Sequence, residues 1–380
     1  MNLTSTKVVV ALFFIGLVPF QFLAAPLQFP TEAEVSTYDE LWNFSKWYEN
    51  EGNAIVQSLL FSGRFQYEYA SVSDDPASHS EWNVRRLRLG VKARLFDQFT
   101  LHTEAEFNPE ERNPVYMGLT DFYLEWSQSG RMALTFGKQS VAFTGDGLTS
   151  SKELLTIDRS NLANNIWFSR EYMPGVSVSG TLSHWVYRAG AYSAGEGNRE
   201  FGRFNGSYFG LAVIGYDFAD SLGVREALLT GNYVYQNPNA RNNSTRQLQH
   251  VTSANFKFED DRWGFRTDLS LGSGYLGQSD LWGVMAMPFV NVTRKFQVVG
   301  RHNYVRSENP NGVRLARYEN QAISGRCDEY REVYLGVNYY FYGHKLKLQS
   351  GVAFGEMTDS ANDGGAYSGV SATTGLRVSW

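Results

Sequence analysis

The stretch from Arg85 to Leu95 alternates between apolar and polar side chains, and this alternation limits what the chain can fold into. A period of two residues predicts a β-strand with two different faces. One face is aliphatic and the other carries four cations: Leu87, Leu89, Val91, Ala93 and Leu95 against Arg86, Arg88, Lys92 and Arg94. A wall between lipid and a water-filled interior suits both faces, so the stretch predicts a transmembrane β-barrel.

The first 25 residues have the form of a secretory signal peptide. Lys7 precedes an apolar run over residues 8–20, and the small residues Ala24 and Ala25 follow it. This run is too short to span a bilayer, and no later stretch approaches the roughly 20 apolar residues of a transmembrane helix. Any membrane crossing after residue 25 is therefore expected to use strands.

Residues 26–53 are predicted to form a polar periplasmic lead segment before a barrel over residues 54–380. Thr31 and Glu34 have the spacing of a capping box, which predicts a short helix. Its apolar stripe would consist of Leu41, Phe44, Trp47 and Tyr48. The domain organisation predicted is thus signal peptide (1–25), lead segment and outer-membrane barrel.

Composition supports many alternating strands better than a large soluble core. Aromatic residues make up 15% of the 380 residues, beside 36 glycines and a mean hydropathy of -0.34. The single cysteine, Cys327, excludes a disulfide framework and a multi-cysteine metal site. Because the net charge is -5, any preference for anions must come from the placement of cations and not from their number.

Short turns alternate with long connections along the rest of the chain, which is typical of outer-membrane barrels. The short turns fall near residues 97–98, 127–130, 183–184, 220–224, 259–262, 294–295 and 342–344. The long connections fall near residues 73–80, 109–116, 142–174, 194–206, 237–247, 273–282, 306–329 and 356–369. This spacing predicts about 16 strands in an all-β, antiparallel barrel. A soluble β-helix or sandwich is the alternative, but it does not explain the two lengths of connection.

The final strand alternates up to Trp380 on its apolar phase, which resembles the assembly signal of outer-membrane proteins. Two stretches, 208–218 and 284–292, are apolar on both phases, so their register stays open. The apolar phases of 263–271, 333–341 and 346–354 are clear and are predicted to face lipid.

Cations and carboxylates both occupy the phase that faces the interior, which leaves two interpretations of the basic strand. The predicted interior cations are Arg64, Arg86, Arg88, Lys92, Arg94, Lys257, Arg266, Arg301, Lys347 and Arg377. The predicted interior acids are Glu68, Glu104, Glu106, Asp121, Glu125, Asp268 and Glu332. Cross-strand ion pairs would stiffen the wall. Unpaired arginines would instead form a track for anions, because a guanidinium binds phosphate oxygens with two donors and stays charged.

The connection over residues 142–174 is too long and too apolar for an ordinary external loop. Its apolar residues are Leu154, Leu155, Ile157, Leu162, Ile166 and Trp167. Folding inward against the wall would bury them and narrow the pore. It would leave Ser150, Ser151, Lys152 and Arg159 available to a solute, together with Thr149. An external lid or a trimer contact is the alternative.

No motif indicates catalysis or a bound metal. The six histidines are scattered singly, without HExxH spacing, and no serine lies in a G-x-S-x-G turn. The run DSANDG at residues 359–364 only faintly resembles a calcium loop, because Ala361 replaces a ligand. We therefore expect no enzyme activity, no cofactor and no nucleic-acid partner.

Several motifs together resemble the phosphate-selective porin O and P family. They are RRLRLGVKARLFDQF, LTDFYLEW, LTFGKQSVAF, LTSSKELLTIDRS and the strand GVSVSG, within about residues 84–182. The resemblance implies a trimeric, sixteen-stranded outer-membrane channel with an inward-folded third loop, an arginine ladder and a lysine cluster. It also implies that Arg86, Arg88, Arg94, Lys152 and Arg159 contact phosphate. This chain departs from the pattern, because few lysines occupy the interior and Glu153 and Asp158 flank the loop cations.

The sequence thus predicts a porin in the outer membrane, surrounded by lipid and lipopolysaccharide, which admits small hydrophilic solutes by passive diffusion and favours anions. The solute-binding residues are predicted to be Arg86, Arg88, Lys92, Arg94, Ser150, Ser151, Lys152 and Arg159. Two alternatives remain at this point. One is an unselective or sugar-passing pore, and the other is a non-conducting barrel that acts as an adhesin or scaffold.

Overall fold

The computed structural model describes residues 37–74, 77–110, 113–166, 171–194, 200–201, 208–240 and 245–380. The predicted signal peptide, the capping-box residues Thr31 and Glu34, and Trp167 lie outside the described residues.

Sixteen of the nineteen strands in the described residues close into an antiparallel barrel, as the sequence predicted. The strands are β1 (Lys46–Glu49), β2 (Val56–Asp74), β3 (Ser78–Leu95), β4 (Phe99–Phe107), β5 (Tyr116–Ser129), β6 (Met132–Ser140), β7 (Tyr172–Leu182), β8 (Trp185–Ser193), β9 (Tyr208–Asp217), β10 (Glu226–Gln236), β11 (Leu248–Glu259), β12 (Trp263–Gly274), β13 (Leu281–Asn291), β14 (Phe296–Ser307), β15 (Val313–Arg314), β16 (Arg326–Cys327), β17 (Glu329–Tyr342), β18 (Leu346–Thr358) and β19 (Tyr367–Ser379). Strands β2–β14 and β17–β19 form the ring, which the pairing of β19 with β2 closes. Closure leaves no strand edge in the membrane, where an unpaired backbone group is costly.

The helices of the described residues are short, and none of them is part of the strand ring. They are α1 (Thr37–Trp42), α2 (Gly145–Leu148), α3 (Asn161–Ile166), α4 (Ala219–Leu222) and α5 (Glu319–Ala322), with a 3₁₀ turn over Asn43–Ser45. Within the described ranges, no helix combines the length and the apolar character needed to cross a membrane.

Exposed apolar side chains alternate with buried side chains along the strands, as predicted, and β17 shows this most clearly. Val333 and Leu335 are exposed on the outer face, whereas Glu332, Tyr334 and Asn338 are buried inside. The outer phases predicted for 263–271 and 346–354 are likewise the exposed ones in β12 and β18. All seven short turns lie where the sequence predicted them. The loop predicted over residues 73–80 is shorter than predicted, because β2 extends to Asp74 and β3 begins at Ser78.

Strands β9 and β13 are apolar on both phases because their inner faces are also covered by protein. In β13, Met285, Met287 and Phe289 are buried in one apolar cluster with Leu162 and Ile166 of α3. Gly283 has no side chain at this contact, and a Cβ there would lie 2.6 Å from Leu162 Cδ1. This part of the barrel interior is therefore a dry core and not a wet lumen.

The lead segment differs from the predicted helix. Among the described residues of this segment, the α-helix spans Thr37–Trp42, and Trp47 and Tyr48 lie on β1, which pairs antiparallel with the start of β2. The pairing of β19 with β2 begins at Arg64, so the residues of β2 before Arg64 have no partner on β19. Strand β1 pairs with residues 58–60 of β2 instead. The Trp42 Nε1 group donates to the Ser379 carbonyl over 2.7 Å and fixes this arrangement.

The dry core leads to a stability prediction for Leu162, whose side chain is 1% exposed. Leu162→Ala should lower the free energy of unfolding by about 2–5 kcal/mol, because the cavity it leaves has no water or lipid to fill it. The measurement is urea unfolding in vesicles, followed by tryptophan fluorescence. Leu335→Ala on the outer face is the control and should cost less, since lipid fills the space; equal losses would contradict the dry core.

Candidate functional site

The connection between β6 and β7 contacts the inward side chains of strands all around the ring. We call residues 145–160 of this connection the interior segment. Its first turn, α2, follows Thr144, whose hydroxyl accepts a hydrogen bond from Gly147 N. The carboxylate of Asp268 on β12 accepts from Gly145 N over 3.2 Å and from Asp146 N over 3.0 Å. A buried carboxylate on the wall therefore fixes the start of the segment.

The wall also donates hydrogen bonds to main-chain oxygens of the interior segment. Gln66 of β2 donates to the Ser151 carbonyl over 2.9 Å. Lys347 Nζ of β18 donates to the Leu154 carbonyl over 2.6 Å, and Asn338 Nδ2 of β17 donates to the Leu155 carbonyl over 2.9 Å. Because β2, β12, β17 and β18 lie at separate places on the ring, the segment lies against much of the inner wall.

Most of the predicted interior arginines form ion pairs with the predicted acids. Buried pairs link neighbouring strands at Arg301 to Glu332 (2.7 Å) and Arg377 to Glu68, and Arg88 pairs with the half-buried Glu106 (3.0 Å). The buried pair of Arg64 and Glu104 (3.1 Å) reaches across β3 from β2 to β4. Arg301 also donates to Thr156 Oγ1 over 3.1 Å and to the Asp158 carbonyl over 2.8 Å. These arginines stiffen the wall and hold the interior segment, which is the cross-strand interpretation of the basic strand.

A β-bulge adds an arginine that strict alternation had placed toward lipid. The pairing of β2 with β3 shifts between Gln66 and Tyr67, whose partners are Arg86 and Val84, so Arg85 has no partner residue on β2. Arg85 Nε lies 3.4 Å from Asp158 Oδ1 and 3.8 Å from Glu68 Oε1, inside the barrel. The one signal in the sequence was the charge itself, since a lipid-facing arginine is costly.

A cavity of about 230 Å³ lies between the interior segment, the bulge of β3 and the connection from β14 to β17. We call it the arginine cavity. It is lined by Arg85, Arg86, Arg159, Arg246, Arg301 and Arg317, and by the acids Asp158, Glu171, Glu319 and Glu332. Six guanidinium groups therefore face four carboxylates in one small space.

Glu171 shows how strongly the arginines act on this cavity. Burial raises the pKa of the Glu171 carboxyl, but Arg159 and then Arg86 outweigh burial and bring that pKa down to about 2. Arg159 donates to Glu171 Oε1 over 3.0 Å, and Arg86 Nη2 lies 3.7 Å from the same oxygen. Glu171 is thus ionised at neutral pH and offsets part of the charge of these two arginines.

The structure brings only Arg86 and Arg159 of the predicted site residues together in this cavity. The others lie apart. Arg88 donates to Tyr172 OH over 2.5 Å, and Arg94 pairs with Glu51 of the lead segment. Lys152 Nζ donates to the Trp380 main-chain oxygen over 3.0 Å, and the Ser151 hydroxyl accepts from Arg64 over 2.6 Å.

Lys92 and Ser150, two more of the predicted solute-binding residues, also lie away from the arginine cavity. Lys92 is exposed and faces His102 across β3 and β4. Ser150 lines a separate cavity of about 260 Å³ beside β10–β13, which Arg266 and Lys257 also line. Their positions place neither residue beside Arg86.

Sequence reasoning treated residues 306–329 as an external loop and missed their part in the site. The Tyr318 hydroxyl accepts from Asn83 Nδ2 over 3.2 Å and also bonds to Glu68. Arg314 N donates to Asn165 Oδ1 of α3 over 2.7 Å, and Asn164 donates to the Leu315 carbonyl over 3.0 Å. The apolar spacing of Val313, Leu315 and Tyr318, all buried, was the signal that this connection folds over the interior.

Within the described ranges, no group of three or more His, Cys, Asp or Glu side chains is arranged to hold a metal ion. The Asp359 carboxylate, in the run that faintly resembles a calcium loop, instead accepts hydrogen bonds from the backbone N–H groups of residues 361–365. That run is a self-capped turn between β18 and β19.

The buried pair of Arg301 and Glu332 leads to a second stability prediction. Glu332→Gln should lower the free energy of unfolding by about 3–5 kcal/mol, because it leaves a buried guanidinium without its carboxylate. Urea unfolding in vesicles measures this loss. Glu49→Gln, at the exposed pair with Lys46 (3.3 Å), is the control and should change stability by less than about 1 kcal/mol. A loss at Glu332 no greater than that of the control would mean that the pair does not hold the wall.

Comparisons with known proteins agree with this geometry. The model of the family described as phosphate-selective porin O and P matches residues 61–294. An anion-selective porin from Comamonas acidovorans is 10% identical with a TM-score of 0.60, over 85% of this chain and 99% of that chain. The outer-membrane channel DcaP of Acinetobacter baumannii is 13% identical with a TM-score of 0.57, over 88% and 99% of the two chains. OprB of Pseudomonas putida is 9% identical with a TM-score of 0.61, over 85% and 94%.

No curated protein sequence matches the chain. The solved structures, at such low identity, show a shared barrel fold. The family match covers more than half of the 380 residues and includes the bulge of β3, the whole interior segment and most of the ring. The chain therefore belongs to the phosphate-selective porin O and P family and is an outer-membrane porin through which small hydrophilic solutes diffuse passively.

Proposed function

We propose that this porin favours anions, phosphate among them, and that they pass through the arginine cavity. The observation that carries the proposal is the excess of six arginines over four carboxylates in a cavity of about 230 Å³. A guanidinium keeps its charge at every physiological pH and presents paired donors that match phosphate oxygens. The cavity thus offers an anion a partial replacement for its hydration shell.

An anion that passes through the cavity must also be released from its arginines, and the carboxylates of the cavity favour that release. Asp158 lies 3.4 Å from Arg85, and Glu171 lies 3.0 Å from Arg159, so each carboxylate competes with a passing anion for its arginine. Several weak sites of this kind favour throughput over tight binding. No catalytic step and no cofactor enter this proposal.

In the membrane, we propose that the protein is a homotrimer surrounded by lipid and lipopolysaccharide. Its exposed outer face supports the lipid contact, since Leu335, Val337, Leu348 and Phe354 all point away from the interior. Solutes are its only other proposed partners.

Arg317 allows a direct test of the cavity. It packs against the Tyr318 ring at 5.2 Å and forms no ion pair with any described residue. Its charge acts on Asp158, but that carboxylate keeps its ion pair with Arg85 when Arg317 is removed. In planar bilayers, Arg317→Gln should lower the anion-to-cation permeability ratio and weaken the block of chloride current by phosphate about threefold or more. Arg331→Gln, on the exposed face of β17, is the matched control and should change neither quantity.

Each result has a clear meaning. A wild-type permeability ratio at or below one would contradict the anion preference and favour an unselective or sugar-passing pore. A preserved ratio with equal phosphate block in both variants would exclude the arginine cavity as the route. Absence of any conducting step from purified protein would favour an adhesin or scaffold.

The lowered pKa of Lys152 predicts that the anion preference of the pore depends on pH. Burial, and then the charge of Arg64, lower the pKa of its ammonium group to about 8, although Glu104, Asp121 and Glu153 oppose this shift. Lys152 is therefore charged below that pH and loses its charge above it. The anion-to-cation permeability ratio should fall between about pH 7 and about pH 9. In Lys152→Arg the fall should be smaller, because an arginine stays charged; an equal fall would remove Lys152 from the anion path.

A further inference from the structure

The connection between β14 and β17 folds back over the arginine cavity. We call its residues 313–323 the flap. Val313, Leu315 and Tyr318 of the flap are buried, and residues 316–319 line the cavity. Because this connection is one of the long external ones, the flap covers the cavity from the external side.

Hydrogen bonds hold the flap at two places that lie apart on the barrel. On one side, Asn161 Nδ2 and Asn165 Nδ2 of α3 donate to the Arg314 carbonyl over 2.9 Å and 3.0 Å. On the other side, Asn83 Nδ2 of β3 donates to the Tyr318 hydroxyl over 3.2 Å. Among the described residues, no ion pair joins the flap to the wall. Opening the flap would therefore break hydrogen bonds and apolar contacts without separating a pair of charges in this part of the chain.

Glu319 is the acidic residue of α5, and the flap buries it. It is 6% exposed, yet it forms no ion pair with any described residue. The charges that act on it most are both negative, namely Glu332 of β17 and Asp158 of the interior segment. Each of these acids already has an arginine partner, since Glu332 pairs with Arg301 and Asp158 pairs with Arg85. Glu319 is thus a buried carboxyl group beside two occupied ion pairs.

The uncharged groups around Glu319 do not supply a counter-charge either. The Ser371 hydroxyl of β19 bonds to its carboxyl, and Tyr330 and Tyr367 lie close enough for its charge to act on them. The Tyr367 hydroxyl is buried without a hydrogen-bond partner among the described residues. On the flap itself, Arg317 packs against the ring of the next residue.

The remaining charged groups at this end of the barrel are engaged elsewhere. Arg86 Nη2 lies 3.7 Å from Glu171 Oε1, and Arg246 donates to an amide oxygen of α3 over 3.2 Å. Glu68 of β2 pairs with Arg377. The arginine cavity thus matches its arginines to groups other than Glu319.

The proton decides whether Glu319 fits this position. Burial, and then the charge of Glu332, raise the pKa of the Glu319 carboxyl, although hydrogen bonds from its own backbone N–H and from Ser371 oppose the shift. An open flap would place the carboxyl in water, where its pKa is ordinary. The closed flap therefore binds the proton more tightly than the open flap, so acid favours closure and rising pH removes that preference.

We propose that the flap is a gate operated by pH, in which the proton on Glu319 keeps the external route to the arginine cavity closed. Loss of the proton leaves an anion in a buried position beside Glu332 and Asp158. Movement of the flap into water relieves both the burial and the repulsion. The gate requires a conducting barrel but does not depend on the anion preference proposed above.

Single-channel conductance in planar bilayers tests the gate. It is measured in potassium chloride from about pH 4 to about pH 9, a range that brackets a carboxyl with a raised pKa. Wild type should conduct about threefold or more less at the acid end than at the alkaline end. Glu319→Gln, which cannot ionise, should keep the low conductance over the whole range. Glu308→Gln removes an exposed acid from the same connection and should keep the pH dependence of wild type.

Tyr318→Phe tests whether the flap is the part that moves. It keeps the ring but removes the hydroxyl that bonds to Asn83, so the closed state loses stability. The conductance should therefore rise at a lower pH than in wild type. Urea unfolding in vesicles is measured for every variant, to establish that each barrel is folded.

Three results would overturn the gate. They are a wild-type conductance that does not change with pH, a Glu319→Gln protein that reaches the alkaline conductance of wild type, and a Tyr318→Phe protein with an unshifted transition. Titration of Lys152 does not imitate the gate, because it acts equally in Glu319→Gln and Glu308→Gln. The anion preference is decided separately by the wild-type reversal potential.

Discussion

A guanidinium removed from water requires oxygen partners, and this requirement organises the interior of the barrel. Arg301 illustrates it, since Glu332 holds one side of its guanidinium while Thr156 and the Asp158 carbonyl hold the other. The same group thereby ties the wall to the interior segment. Because buried charges must be matched locally, pairs of this kind determine where the segment lies, and the position of the segment in turn shapes the arginine cavity.

The interior consequently has two parts with different chemistry. Where α3 lies against β13, apolar side chains such as Met285 and Met287 are buried together with Leu162 and Ile166. Beside β2–β5 and β17–β19, the wall carries ion pairs and polar side chains. The apolar contact with α3 anchors the connection between β6 and β7 to the wall.

The sequence predicted the parts of the fold that depend on local pattern. Strict alternation at Val333–Phe341 predicted the lipid face of β17, and short interruptions between alternating stretches marked the short turns. The predictions from sequence failed where the position of a side chain depends on contact with an element distant in the sequence. The bulge at Arg85 depends on pairing with β2, the buried face of β13 depends on α3, and the inward position of Tyr318 depends on Glu68. Arg86 and Arg159 were predicted as site residues and line the arginine cavity, whereas Arg85, Arg246 and Arg317, which also line it, were not predicted.

The wall holds the interior segment mainly through its main-chain carbonyls, at Ser151, Leu154, Leu155, Ile157 and Asp158. A carbonyl is present whatever the side chain, so these anchors survive substitution of the residues that carry them. The exposed positions of the segment, at Leu148, Ser150 and Glu153, can therefore vary while the segment keeps its path along a constant membrane wall.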